Sequence, residues 1–192
     1  MSLILASQSP RRRELLGLFH IPFTVCAADI DESMDPEKSP REEVARVSRA
    51  KAFAVRRLPG DVVVAADTIV VCDGRVLGKP RDEADAVRML TMLSGREHQV
   101  MTGLTVLKDQ QAVTCTEVTE IHFRALSPEE IEAYVRTGEP MDKAGAYGIQ
   151  GGAALFAQSL VGDYYNVMGL PVCRLGMILR EIAPELTQPG KG

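Results

Sequence analysis

The stretch "DVVVAADTIVVCDG" (61–74) constrains the fold more than any other part of the chain. Val62 to Ala66 follow one another without a polar break, and Ile69, Val70 and Val71 resume the run after Asp67 and Thr68. A run of this kind suits a strand covered on both faces, as in a sheet with helices on either side. Asp73-Gly74 then marks a two-residue hairpin turn. "LILA" (3–6) reads as a short strand leading into a helix, and "FTVCAADIDE" (23–32) as a second strand ending in carboxylates. Strands alternating with helices predict a mixed α/β sheet, with strand ends and helix starts meeting at one edge.

Three helices announce their starts with caps. Ser39-Pro40 and Ser127-Pro128 are each followed by a glutamate at the third helical position, Glu42 and Glu130, which completes a capping box. Ser9-Pro10 opens the first helix in the same way, but there the third position is Arg12, within Arg11-Arg12-Arg13. A helix N-terminus is a positive pole that favours carboxylates, so three arginines there ask for an anion from elsewhere or for full solvation. The helix after Ser39 carries Val44, Val47, Val55 and Leu58 at spacings of three and four, with Lys51 inside the stripe. Asp82 caps a further helix whose face is Ala86, Met89, Leu90 and Leu93, closed by Ser94-Gly95. Gln99 to Phe123 is β-rich and predicts two long antiparallel strands joined around Lys108–Gln111. The helix from Ser127 ends near Gly138, a Gly/Ala-rich loop (142–156) enters a strand, and a last helix begins at about Pro171. One domain over 1–186 and a disordered tail over 187–192 are expected.

The net charge of −4 over 192 residues argues against broad nucleic-acid binding but allows a local basic island. Cys26, Cys72, Cys115 and Cys173 have no metal-ligand spacing and predict buried free thiols in a reducing compartment. His20, His98 and His122 are too scattered for a histidine metal site. No signal peptide or apolar run of membrane-spanning length is evident, so a cytoplasmic location without membrane association is expected.

The chemistry-bearing residues sit out of character with their neighbours. Ser7 and the arginines follow the first strand, Glu32 follows the second, Asp67 and Thr68 interrupt the central run, and Lys79 follows the hairpin. Each has a plainer reading: solvated arginines, a snorkelling Lys51, a turn-capping Asp67. Together, though, arginines, lysines and helix N–H groups can hold a polyphosphate, while Glu32 and Asp67 can hold a hard divalent ion such as Mg²⁺ or Mn²⁺. A carboxylate beside that ion can accept the proton of an attacking water. No GxxxxGK[ST] loop is present, so a Walker-type nucleotidase is not indicated.

"LILASQSPRRRELL", "AADTIVV", "GKPRD", "LSGREHQVMTG", "DKAGAYGIQGGAALF" and "GDYYNVMGLP", in that order over residues 3 to about 175, resemble the Maf family of nucleoside triphosphate pyrophosphatases. The resemblance implies an elongated mixed β-sheet flanked by helices, in two lobes with a cleft, similar to inosine triphosphate pyrophosphatase, and a homodimer. It implies cleavage of a nucleoside triphosphate between the α and β phosphates with a divalent metal cation. By motif match Asp67 is the proton acceptor, Ser7, Arg12, Lys51 and Lys79 are phosphate-site residues, and Glu32 lies on the metal side. Arg11, Thr68 and Gln150 match the branch acting on dTTP and UTP, whereas a branch acting on 7-methyl-GTP carries Trp, Gln and Glu there. A glutamine amide can both accept from the ring N–H of thymine or uracil and donate to a carbonyl, which a carboxylate cannot. The same amide could instead hold the loop or the sugar. The same reaction on 7-methyl-GTP or on a purine such as ITP is a second reading, and the family name, which derives from an association with filamentous growth, leaves a cell-division regulator as a third.

Overall fold

Alternating strands and capped helices assemble as the patterning dictates. The computed structural model describes residues 1–27 and 29–187. β1 (Leu3–Leu5), β2 (Phe23–Val25), β3 (Val62–Cys72), β4 (Arg75–Leu77), β5 (Glu97–Lys108), β6 (Gln111–Phe123) and β7 (Ala157–Val161) form one mixed seven-stranded sheet in the order β2-β1-β3-β5-β6-β7, with β4 on β3. β1 pairs in parallel with both β2 and β3, while β3–β4 and β6–β7 are antiparallel. The helices are α1 (Pro10–Gly17), α2 (Pro40–Ala54), α3 (Glu83–Leu93), α4 (Pro128–Val135), α5 (Tyr164–Met168), α6 (Val172–Ile182) and α7 (Pro184–Thr187). Among the described residues no helix is long and apolar enough to cross a membrane.

Residues group into two compact units: Met1–Asp67, Thr102–Glu117 and Gly169–Gly192 in the first, Thr68–Met101 and Val118–Met168 in the second. The division falls inside β3, between Asp67 and Thr68. In the first unit, Ile4, Ala6, Ala52, Val55, Val63, Ala65 and Leu107 pack together, which places α2 over the parallel strands. Gly103 permits that approach. A Cβ on Gly103 would lie 2.2 Å from the Val44 carbonyl oxygen of α2, so only glycine lets strand and helix meet so closely.

In the second unit, Ala86, Met89, Leu90 and Leu93 of α3 are all buried, as their spacing predicts, with Val70, Val100, Ile121 and Phe123 of the strands. Beside them, His98, Phe123, Tyr147, Phe156 and Tyr134 form edge-to-face contacts at centroid distances of 4.8 to 6.0 Å. His98 Nε2 and the Tyr147 hydroxyl lie 2.9 Å apart, which satisfies two polar groups inside this core. The Asp73-Gly74 turn forms with positive φ at both residues (48° and 73°), the geometry that fits the twist of a β-hairpin.

Several local expectations change. α2 stops at Ala54, so Leu58 falls beyond the helix and is 71% exposed instead of extending the apolar stripe. β2 ends at Val25, and the carboxylates that follow it, Glu32 included, lie in a loop; Ala28 is outside the described residues. The four cysteines are free, but only Cys72 is buried; Cys26 and Cys115 are half-buried and Cys173 is exposed. Cys173 sits at the second position of α6, whose inward face is made by Leu175, Ile178, Leu179 and Ile182. Thr187 closes α7, and the tail expected to be disordered otherwise falls on 188–192, outside the described residues.

Candidate active site

β3 runs unbroken through Asp67, so this aspartate is no turn cap: it is a carboxylate 8% exposed in the middle of an otherwise apolar strand. Such a group needs a partner, because an isolated buried charge is costly. The partner is Lys51. Two turns of α2 separate Val44 from Lys51, so the lysine stands on the helix face that packs on the sheet, and it too is 8% exposed. Its Nζ donates to Asp67 Oδ1 at 2.7 Å and lies 2.9 Å from Glu32 Oε2. The snorkelling reading is overturned: Lys51 stays buried because two carboxylates meet it there. Ser48, one turn earlier, lies 2.9 Å from Thr105 Oγ1 through its hydroxyl and ties α2 to β5.

Across β1, Leu5 is in register with Val64, so Ser7 leaves the strand two residues on, while β3 reaches Asp67 after three. Ser9 caps α1 by accepting from the Arg12 N–H, and the first turn holds no acidic residue. Arg12 turns back over the helix start. Its Nη1 donates to Ser7 Oγ at 3.3 Å and its Nε to the Gly169 carbonyl at 2.7 Å. Burial lowers the Arg12 pKa, the Asp67 carboxylate raises it and the neighbouring Arg11 lowers it. Arg11 is half-buried and Arg13 exposed. The first unit therefore gathers Ser7, Arg12, Lys51, Asp67 and Glu32 into one charged network centred on a lysine between two carboxylates.

Two carboxylates converging on one point also constitute an oxygen donor set. Lys51 engages one oxygen of each, and among the described residues no group of three or more His, Cys, Asp or Glu forms a closed cage. Such a set suits Mg²⁺ or Mn²⁺, which take one or two protein carboxylates and complete their shells with water and phosphate oxygens.

Thr68, Lys79 and Gln150 belong to the second unit. Thr68 is half-buried in β3, and Lys79 is exposed just after β4. The Lys79 loop is joined to the Gly-rich loop by the Gly145 N–H donating to the Gly78 carbonyl at 3.0 Å. Gly145 has φ +69°, and a Cβ there would lie 2.7 Å from Val70 Cγ2, so glycine is required on both counts. Gly148 to Gly151 make a β-turn closed by a 3.0 Å backbone bond, with Gln150 exposed at its third position.

Sequence reasoning missed the Gly169 carbonyl that anchors Arg12 and the close approach at Gly103. A glycine inside the β-rich run 99–123 was the available signal for the latter. It also missed Tyr134 and Glu139, which hold the Gly-rich loop.

A family model described as "Maf-like protein" matches residues 2–182. The chain is 51% identical over 191 residues to a dTTP/UTP pyrophosphatase of Symbiobacterium thermophilum, covering 99% of this chain and 98% of that protein. It is 51% identical over 183 residues to a protein of the same name from Geobacter sulfurreducens, covering 94% and 96%. A third of that name, from Bacillus pumilus, is 48% identical over 178 residues, covering 92% and 94%. Among solved structures, a HAM1 protein from Coxiella burnetii aligns over 94% of this chain and 99% of its own, at 15% identity and a TM-score of 0.44.

Proposed function

The chain belongs to the Maf family, and on that premise we propose that it hydrolyses dTTP and UTP between the α and β phosphates, releasing the nucleoside monophosphate and pyrophosphate. The observation that carries the reading is the buried Lys51 ammonium held by Asp67 and Glu32 in the same unit as an arginine-bearing helix start. Relatives that match nearly the whole chain and bear the name dTTP/UTP pyrophosphatase support the choice of substrate.

In this reading Arg12 and Ser7 bind phosphate oxygens, with the positive pole at the start of α1 adding potential. Lys51 neutralises phosphate charge and, through its 2.7 Å bond, fixes the rotamer of Asp67. Glu32 and Asp67 would hold the divalent cation, which supplies charge against the triphosphate when bound. Asp67 accepts the proton of the water whose oxygen bonds to phosphorus as the P–O–P bridge opens, and pyrophosphate carries away the bond's electron pair. Lys79 contributes a further cation to the phosphates. Gln150 reads the N–H and carbonyl edge of the pyrimidine, while Arg11 and Thr68 limit which nucleotide fits. Clearing unwanted or modified pyrimidine nucleotides is the cellular task that such an activity serves.

The test is a turnover panel of dTTP, UTP, CTP, 7-methyl-GTP and ITP with Mg²⁺ or Mn²⁺, quantifying monophosphate and pyrophosphate, for the wild type and Asp67→Asn. We expect dTTP and UTP to yield both products, with the Asn variant slower by roughly 10²–10⁴-fold, the usual range for loss of a general base. Preference for a purine would keep the reaction but overturn the roles of Arg11, Thr68 and Gln150. Near-normal turnover by Asp67→Asn would end its assignment as proton acceptor. Folded protein that turns over nothing would move the weight to a regulatory role in division.

A further inference from the structure

The Gly-rich turn that presents Gln150 is gripped at both ends by two side chains absent from the catalytic scheme. Tyr134 stands near the end of α4, and Glu139 follows soon after it, just past the left-handed Gly138 (φ +75°). Glu139 Oε1 accepts from the Tyr134 hydroxyl at 2.9 Å, and Oε2 accepts from the Gly152 N–H at 3.1 Å. The same tyrosine oxygen accepts from the Gly148 N–H at 3.1 Å. Lys143 Nζ donates to the Glu139 carbonyl at 2.6 Å, which ties the glutamate's own backbone to the loop it holds.

The glycines of the turn are spaced to admit this grip. A Cβ on Gly151 would lie 2.1 Å from Glu139 Oε1, and one on Gly152 would lie 3.1 Å from the Tyr134 ring. The carboxylate fills the place that a side chain would take. On the protein side, Tyr147 immediately before the turn is locked in the aromatic core beside His98. Gly148, Gly151 and Gly152 are thus fixed on either side of Gln150, whose side chain alone remains free to point outward.

The chemistry of the grip is specific to a carboxylate. Two donors, an O–H and an N–H, converge on Glu139, and only an ionised carboxylate offers an acceptor to each without presenting a hydrogen to either. An amide has one acceptor for the two donors: with its oxygen on the Gly152 N–H it could meet the Tyr134 oxygen only as a donor, and the tyrosine O–H would lose its acceptor.

We infer that Tyr134 and Glu139 are positioning residues for base selection: they set the place of the Gln150 amide and thereby the discrimination between pyrimidine and other nucleoside triphosphates. The inference rests on the proposed dTTP/UTP activity and on Gln150 reading the base. Neither residue contacts the phosphate or metal-side groups in this scheme, so the effect falls on the base and not on the bond that is cut.

The experiment measures kcat and KM for dTTP and for 7-methyl-GTP, and inhibition by inorganic pyrophosphate, in the wild type, Tyr134→Phe and Glu139→Gln. Tyr134→Phe keeps the ring and removes both hydroxyl bonds; Glu139→Gln keeps the shape and removes one acceptor. In each, the ratio of kcat/KM for dTTP over 7-methyl-GTP should fall roughly ten- to a hundred-fold, the scale set by displacing a positioned group by about 1 Å. Pyrophosphate inhibition should stay as in the wild type. An unchanged ratio in both variants would overturn the inference. So would a parallel loss of both nucleotides and of pyrophosphate inhibition, which marks a purely structural clasp. A wild type that does not turn over dTTP would instead refute the proposed function, and this inference with it, before any variant is compared.

Discussion

Replacing Gly103 by alanine places a methyl carbon where α2 passes over β5. The added Cβ would sit 2.2 Å from the Val44 carbonyl oxygen, 2.5 Å from its carbon and 2.9 Å from the Ala45 nitrogen, all backbone atoms that no rotamer change can move. A carbon–oxygen contact needs about 3.3 Å, so helix and strand must part by roughly 1 Å. That movement stretches the 2.9 Å Ser48–Thr105 contact past hydrogen-bond range and draws Lys51 away from Asp67. Overpacking costs about 1–3 kcal/mol, and a lost buried hydrogen bond about 1 kcal/mol more. For a chain of this size, about 2–4 kcal/mol corresponds to a fall in Tm of roughly 5–15 °C. Lys51 displaced by about 1 Å should lower dTTP turnover up to about 100-fold. Gly17→Ala is the control, because a Cβ there meets nothing within 4 Å. Thermal melts and dTTP turnover on both variants provide the assay. A Gly103→Ala protein with wild-type Tm and wild-type turnover would refute the claim that this contact sets the position of Lys51.

Lys51→Met leaves the Asp67 carboxylate buried without its ammonium partner and should cost about 3 kcal/mol, the low end for a broken buried pair because Glu32 can turn to solvent. Lys51→Met/Asp67→Asn should recover most of that loss in chemical denaturation; additive losses would deny the coupling. Burial holds His98 neutral, with its pKa lowered to about 4. Above pH 6.5 the imidazole is uncharged in both folded and unfolded chains. As pH falls from 6.5 toward 4 only the unfolded chain takes up the proton, so stability is lost over that window, by about 2 kcal/mol at pH 5. His98→Gln should flatten this limb of the urea-denaturation profile, and an unaltered slope would exclude His98 as its source. Finally, chelation with EDTA should abolish dTTP turnover without shifting the far-ultraviolet circular dichroism, and Mg²⁺ or Mn²⁺ should restore it; full activity in chelator would remove Glu32 and Asp67 as metal ligands.

The sequence by itself determined the elements and their chemistry. Val62 to Ala66 specify a strand covered on both faces, the Ser-Pro pairs specify helix starts, and Ala86, Met89, Leu90 and Leu93 specify a buried helix face, because period and capping are local properties of a chain. The set Ser7, Arg12, Lys51, Asp67 and Glu32 was legible for a related reason: Arg12, Lys51 and Asp67 each break the pattern of their own element, and Ser7 and Glu32 follow strand ends. What no local rule could supply is which of these anomalies meet. Lys51 in an apolar stripe reads as well for a snorkelling side chain as for a buried ion pair. The choice was made by Asp67 and Glu32, 16 and 19 residues away along the chain and within 3 Å in space. Tertiary structure also decided that Arg12 is anchored on Gly169 and that a carboxylate from residue 139 occupies the side-chain space left empty at Gly151. A local pattern records how a residue departs from its neighbours in sequence, whereas the free energy of a buried charge or a glycine contact depends on atoms brought beside it from elsewhere in the chain.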